Sequence, residues 1–270
     1  MQESVYPYIG KSFTGVHEVK VLNAGFFVGE FGWLLMRWQG VCRYLSRQYD
    51  KTVIGCEAEY TYLFEDFANE FIYYTGKPKT RNMWLADQKT YPLTGLVPSK
   101  EVCLGNSKQE FVRYGRFDLT KKYDLLFHAR STSNMGTGYR NWPIEKWNQL
   151  RKEFPSLKIA STGSVTGANY VQGTDNLIGM PLNRLADYVA SAELVISPSS
   201  GMGHFASLCC TTHVVWSDER DRGVMNNKER YLKEWNPFKT RCHFISKWQP
   251  EINEVKDMIN VALSDCNDNL

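Results

Sequence analysis

The sequence predicts an α/β protein built as two Rossmann-like lobes whose parallel sheets face a cleft. Three observations carry that reading. Short apolar runs alternate with helix-periodic segments along most of the 270 residues, the grammar of strand–helix–strand crossovers. The alternation comes in two sets, separated by a looser stretch from Gly76 to Asn106 with Pro78, Pro92 and Pro98. Finally, the apolar run Leu194–Ile196 stops at "SPSSGMG" and a helical pattern follows at once. The expected lobes are residues 1–118 and 119–270, with a hinge near Arg116–Lys122.

In the first lobe, "EVKVLNAGFF" reads as a strand ending in Asn–Ala–Gly. Trp33, Leu34, Met36, Trp38, Val41, Tyr44 and Leu45 then recur at helical spacing, so an amphipathic helix is expected from Phe31 to Gln48. "KTVIGCE" is the second strand, and "YTYLFEDFANEFIYY" a short helix leading into a third. In the second lobe, "YDLLFHAR" is a strand and "WPIEKWNQLRKEF" a helix with Pro143 in its first turn. Next come strand "SLKIASTGS", helix "LNRLADYVASA", strand "ELVISPS", helix "GMGHFASLCC" and strand "THVVWSDE". A terminal helix starts at Pro250. "NNKERYLKEWNPF", Asn226 to Phe238, reads equally as a cleft border or an amphipathic edge.

Composition narrows the class. With 43% hydrophobic and 23% charged residues the chain is of globular type, and a net charge of +3 suits an anionic ligand without demanding nucleic acid. The seven cysteines are odd in number and irregular in spacing, with no C-x-x-C, so neither a zinc site nor a disulfide framework is indicated. "MQESVYPYIGKSF" lacks a signal-peptide core, and no apolar run is long enough to span a membrane. A cytoplasmic location is the expectation.

In open parallel sheets ligands gather beyond the carboxyl ends of the strands. Three such ends carry useful residues: His128 and Arg130, with Arg140 closing the loop; Thr162 and Gly163; and Ser199, Ser200, Gly201, Met202, Gly203 and His204. Helix-start amides and serine hydroxyls can hold a phosphate oxygen, and the glycines would let a diphosphate approach the main chain. The arginines would add charge-assisted bonds. Each residue also has a plainer reading. Ser199 or Ser200 is a helix N-cap, His128 and His204 are packing residues, and Asp218 with Glu219 is either a ribose contact or a solvated loop. No metal site is expected, because no D-x-D stands at a strand end and no His/Cys pair offers ligands.

From Asp124 to Asp218 the chain resembles the nucleotide-sugar lobe of the GT-B glycosyltransferases. It is most similar to the heptosyltransferase-like group of the lipopolysaccharide core. Trp142–Pro143, Gly179, Leu185, Ser200–Gly201, His204 and Ala206 fall in step with that group's motifs. Ser199 stands where the group has an acid, and Asn141 where it has a lysine before Trp-Pro. "NAGFFVGEFGWLLMRW" resembles the group's first strand–loop–helix, with Gly29–Glu30 in place of its Gly-Asp pair. The resemblance implies Glu30 as catalytic base, against the alternative that it only complements the helix dipole. It implies a nucleotide-diphosphate sugar as donor substrate, with no cofactor, and an inverting, metal-independent transfer to a saccharide or glycolipid. The first lobe would then be the acceptor side. A GT-B enzyme acting on a hydroxymethylated DNA base is the alternative, drawing on Lys77, Lys79, Arg81, Lys100, Lys108, Arg113, Arg116, Lys121 and Lys122. A non-catalytic nucleotide-binding module is another. Nothing in the sequence fixes an oligomeric state.

Overall fold

The computed structural model describes residues 19–27, 29–73, 107–132, 138–218 and 227–267. The irregular stretch expected at 76–106 and the residue Glu219 lie outside them, as do Lys77, Lys79, Arg81 and Lys100.

Among the described residues two parallel sheets carry most of the strands. The first has three strands in the order β1 (Val21–Ala24), β2 (Lys51–Cys56), β3 (Glu70–Tyr73), all parallel. β1 leads into α1 (Phe31–Trp33), which runs through a π-helical stretch, Leu34–Trp38, into α2 (Gln39–Ser46). The predicted helix is therefore present, but a widened turn in its middle was not legible. Its apolar residues Trp33, Leu34, Leu35, Met36 and Trp38 are consecutive enough to bury most of the circumference, which a strict 3.6-residue stripe does not do. The short helix expected after β2 is a 3₁₀ segment, Ala58–Leu63.

The second sheet has six parallel strands. Its members are β4 (Leu125–Phe127), β6 (Ile159–Gly163), β8 (Asp175–Ile178), β9 (Leu194–Pro198), β10 (His213–Ser217) and β11 (Cys242–Ser246). Their spatial order is β11-β10-β9-β4-β6-β8. Strands β8 and β11 carry too few consecutive apolar residues to stand out in the sequence, and both lie at the sheet's edges. The strand predicted through "YDLLFHAR" is broken at His128. Ala129–Arg130 (β5) leaves the sheet to pair antiparallel with Ala168–Asn169 (β7).

Alternate residues of the central strands face opposite layers. Leu125, Phe127, Leu194, Ile196, Val214 and Trp216 pack with α3 (Ile144–Lys152) and α6 (Ile252–Asn267). There Trp142, Trp147 and Trp216 meet with ring centroids 5.3–5.5 Å apart, and Trp142 donates its indole N–H to the Pro250 carbonyl at 2.9 Å. On the other face Leu126, Val195 and Val215 join α4 (Leu182–Ala190) and α5 (Gly201–Leu208). That cluster continues into Trp33, Leu35 and Trp38 of the first lobe, so one apolar core spans both sheets. The connecting stretch lies on α4: Gly115 has φ +83°, and a Cβ there would lie 2.4 Å from the Ala186 carbonyl oxygen. Only glycine fits that crossing.

Candidate functional site

The strand order reverses between β4 and β9. From β4 the chain moves outward through β6 and β8, and from β9 it moves the other way through β10 and β11. Ligands of open parallel sheets bind in the crevice at that switch point. The sequence placed His128–Arg130 and Ser199–Gly201 at strand ends. The fold sets these two ends side by side, with the His128 amide donating to the Ile196 carbonyl at 2.9 Å.

Ser200 is the N-cap of α5, in extended geometry (φ −162°, ψ 171°). An N-cap serine ordinarily turns its oxygen onto the second or third amide of the helix. Ser200 does not: it makes no capping bond, and its buried Oγ has no partner. Ser199 is buried and accepts a hydrogen bond from the Tyr231 hydroxyl at 2.6 Å, while its amide donates to the Trp216 carbonyl at 2.8 Å. Three more buried hydroxyls near this sheet edge have no partner: Thr162, Ser197 and Ser217.

Both arginines approach this edge. Arg130 is buried, and donates to the Thr132 carbonyl at 2.8 Å and to the Asn141 side-chain oxygen. Burial and the like charge of Arg140 press its pKa down to about 10, against the pull of Glu30 and Tyr139. It therefore stays cationic at neutral pH, held beside a second cation. Arg140 ends a 3₁₀ turn, Gly138–Arg140, and lies over the Trp248 ring at 5.2 Å. Its Nε is buried without a partner, and it pairs with no carboxylate among the described residues. Two arginines, unsatisfied hydroxyls and a helix N-terminus at one sheet edge are the kinds of group that a multiply charged anion engages.

Glu30 is the half-buried N-cap of α1, and its carbonyl accepts from the Trp33 and Leu34 amides at 3.0 and 3.1 Å. Its charge reaches Arg130, so the acid of the first lobe and the arginine of the second lie within electrostatic range of each other. Gly29 precedes it, half-buried.

The remaining predicted residues take other positions. Met202 sits in the core. His204 is buried, stacked on Tyr231 (5.2 Å, 9°) and edge-on to Trp235 at 4.8 Å, with Nδ1 unpartnered. Burial lowers its pKa to about 3, so the ring is neutral. His128 places Nδ1 2.9 Å from the Thr162 carbonyl, which fixes its proton there, and burial lowers its pKa to about 4. Gly163, at φ +135°, passes under that ring: a Cβ would lie 2.7 Å from His128 Nδ1. The two α5 glycines answer to protein neighbours. A Cβ at Gly201 would lie 2.6 Å from the Phe31 ring, and one at Gly203 2.9 Å from Val215. Asp218 is half-buried just beyond β10.

Sequence reasoning missed Tyr231. It lies on a π-helical turn, Arg230–Glu234, inside the stretch that could not be assigned. The available signal was an aromatic pair, Tyr231 and Trp235, at one-turn spacing among charges.

Among the described residues no three His, Cys, Asp or Glu side chains gather as metal ligands, and no helix is long and apolar enough to cross a membrane.

No protein-family model matches the sequence, and no curated protein matches it. Solved structures do match. The chain is similar to the E. coli ADP-heptose lps heptosyltransferase II, with a TM-score of 0.59 at 13% identity over 91% of this chain and 99% of that one. A glycosyl transferase family 9 protein from Veillonella parvula gives 0.59 at 10% identity, over 91% and 97%. The E. coli heptosyltransferase WaaC, solved with ADP-2-deoxy-2-fluoro heptose, gives 0.53 at 14%, over 89% and 99%. The likeness is one of fold: this chain has the GT-B architecture shared by these glycosyltransferases.

Proposed function

We propose that this chain is a glycosyltransferase. It moves a sugar from a nucleotide-diphosphate donor to the hydroxyl of a saccharide or glycolipid acceptor, with inversion and without a metal, in the cytoplasm. The observation that carries the reading is the uncapped N-terminus of α5 at the switch point, with the orphaned Ser200 Oγ and with Arg130 and Arg140 nearby. A buried polar oxygen without a partner is costly, and a phosphate oxygen beside a hydroxyl and two guanidinium groups removes that cost.

In this reading the amides opening α5 and the two arginines hold the diphosphate and stabilise the charge that grows on it as it leaves. The acceptor oxygen attacks the anomeric carbon from the face opposite the diphosphate, the bond from that carbon to the diphosphate oxygen breaks, and the acceptor proton passes to Glu30. The solved GT-B neighbour carrying an ADP-heptose analogue supports a nucleotide sugar as donor. A saccharide acceptor is favoured over DNA by the local use of basic residues. Arg116 pairs with Asp187, Lys121 with Asp124 and Glu193, while Lys108, Arg113 and Lys122 lie over Tyr44, Phe238 and Tyr188.

The test is a thermal-shift panel of nucleoside diphosphates and their sugars, followed by calorimetry on any that raise the melting temperature. The reading expects at least one diphosphate to bind and its nucleoside to bind far more weakly. Equal response to the diphosphate and the nucleoside, or no response to either, would remove it.

A further inference from the structure

Tyr231 reaches the turn that opens α5 from outside the sheet. Tyr231 is 1% exposed, and its ring is fixed on three sides: stacked on His204, edge-on to Trp235 at 5.2 Å, and tilted against Phe244 at 5.7 Å. A ring so packed cannot swing, so its hydroxyl has one position. There it donates to Ser199 Oγ at 2.6 Å. The Ser199 amide is already used by the Trp216 carbonyl. The first amides of α5 itself have no intrahelical acceptor, and Ser200 Oγ is buried without a partner. Tyr231 rides on a π-helical turn, a widened geometry that commonly marks functional positions in helices.

We propose that Tyr231 is a positioning residue for the donor diphosphate: its hydroxyl locks the Ser199–Ser200 turn so that the Gly201–Gly203 amides and the Ser200 hydroxyl converge on one anion. It does not touch the phosphate. This rests on the diphosphate reading above and names what holds that site in shape. The charge of Arg140 reaches the same phenol, so the turn, the arginine and Tyr231 share one corner of the switch point.

The experiment compares the parent with Y231F, which keeps the ring and removes only the oxygen. Calorimetry would use ADP, GDP and UDP together with adenosine, guanosine and uridine. Loss of one buried hydrogen bond at the turn should weaken the tightest diphosphate by about five- to tenfold. Affinity for the matching nucleoside should not change. S199A removes the oxygen that the phenol engages and should show the same selective loss, so it carries the test if Y231F does not fold. Adding it to Y231F should cost little more, because the two act through one bond. Equal diphosphate affinity in parent and folded Y231F overturns the proposal, as does an equal fall for diphosphate and nucleoside. A parent that binds none of the diphosphates overturns the diphosphate reading itself, and this proposal with it.

Discussion

Gly32 and His204 meet where the two lobes join: a Cβ built on Gly32 would lie 2.9 Å from His204 Cδ2 and 3.3 Å from Nε2. The imidazole cannot retreat, because Tyr231 stacks on one face and Trp235 closes its edge. Gly32→Ala should therefore lower the melting temperature, although alanine favours an isolated helix by about 1 kcal/mol. Overpacking of about 1–3 kcal/mol opposes that gain. In a His204→Ala background the same change should become neutral or stabilising. Thermal melting of the four proteins checks the sign, and a rise in the parent background would show that the seam is looser than described.

Arg140 carries the sharper test of the anion site. Without a ligand it stands beside Arg130, with no carboxylate partner among the described residues. Arg140→Ala should leave the melting temperature of the ligand-free protein unchanged or slightly raised, since a like-charge repulsion is removed. It should weaken a nucleoside diphosphate by about 1.5–3 kcal/mol, the usual range for a hydrogen bond to a charged group. A protein that loses stability but keeps its diphosphate affinity would make Arg140 structural.

How much of this could be read beforehand follows from which forces are local. Strands such as Leu194–Ile196 and helices such as Leu182–Ala190 announce themselves, because burial on both faces or on one stripe writes a period into the sequence. The Ser/Gly turn after β9 was legible for the same reason: it breaks an apolar run. What was not legible is long-range. The side-by-side placement of the His128 and Ser199 ends depends on strand order, which periodicity does not encode. Gly201 shows the same limit. The sequence gives a reason for a glycine there, close approach of a ligand, but Phe31 of the other lobe also occupies that space. Tyr231 was hidden because its role depends on a π-helical turn that brings its hydroxyl to Ser199, 32 positions away.

Acid sensitivity is expected from the buried histidines. His213 is buried, holds its proton on Nδ1 toward the Thr211 carbonyl at 3.0 Å, and leaves Nε2 without a partner. Burial lowers its pKa from 6.5 to about 4, and His128 and His204 shift in the same direction. The unfolded chain thus binds more protons between these values. Stability is fully present above pH 6.5 and is lost as pH falls toward 4. His213 lies at the start of β10, on the opposite end of the sheet from the candidate site. His213→Gln should therefore flatten the fall of melting temperature between pH 6.5 and 4 without changing nucleotide affinity. An unaltered slope would mean that His213 titrates as it does in the unfolded chain.

The enzymatic reading depends most on Glu30. A base for the acceptor hydroxyl must stand across the sugar from the diphosphate, and so on the lobe that does not hold the phosphates. Glu30 opens α1 of the first lobe and is half-buried, and its charge reaches Arg130 of the second. On the proposed reading that puts its carboxylate on the acceptor lobe and within electrostatic range of Arg130 on the donor lobe. Glu30→Gln keeps the shape and removes the ability to take a proton. Donor affinity should survive, while turnover with the true acceptor should fall roughly 10²–10⁴-fold, the ordinary worth of a general base. The split matters, because a helix-capping role would change stability and leave turnover near that of the parent. If donor affinity fell together with turnover, Glu30 would be acting through Arg130 on the diphosphate, and the base would have to be sought elsewhere on the first lobe.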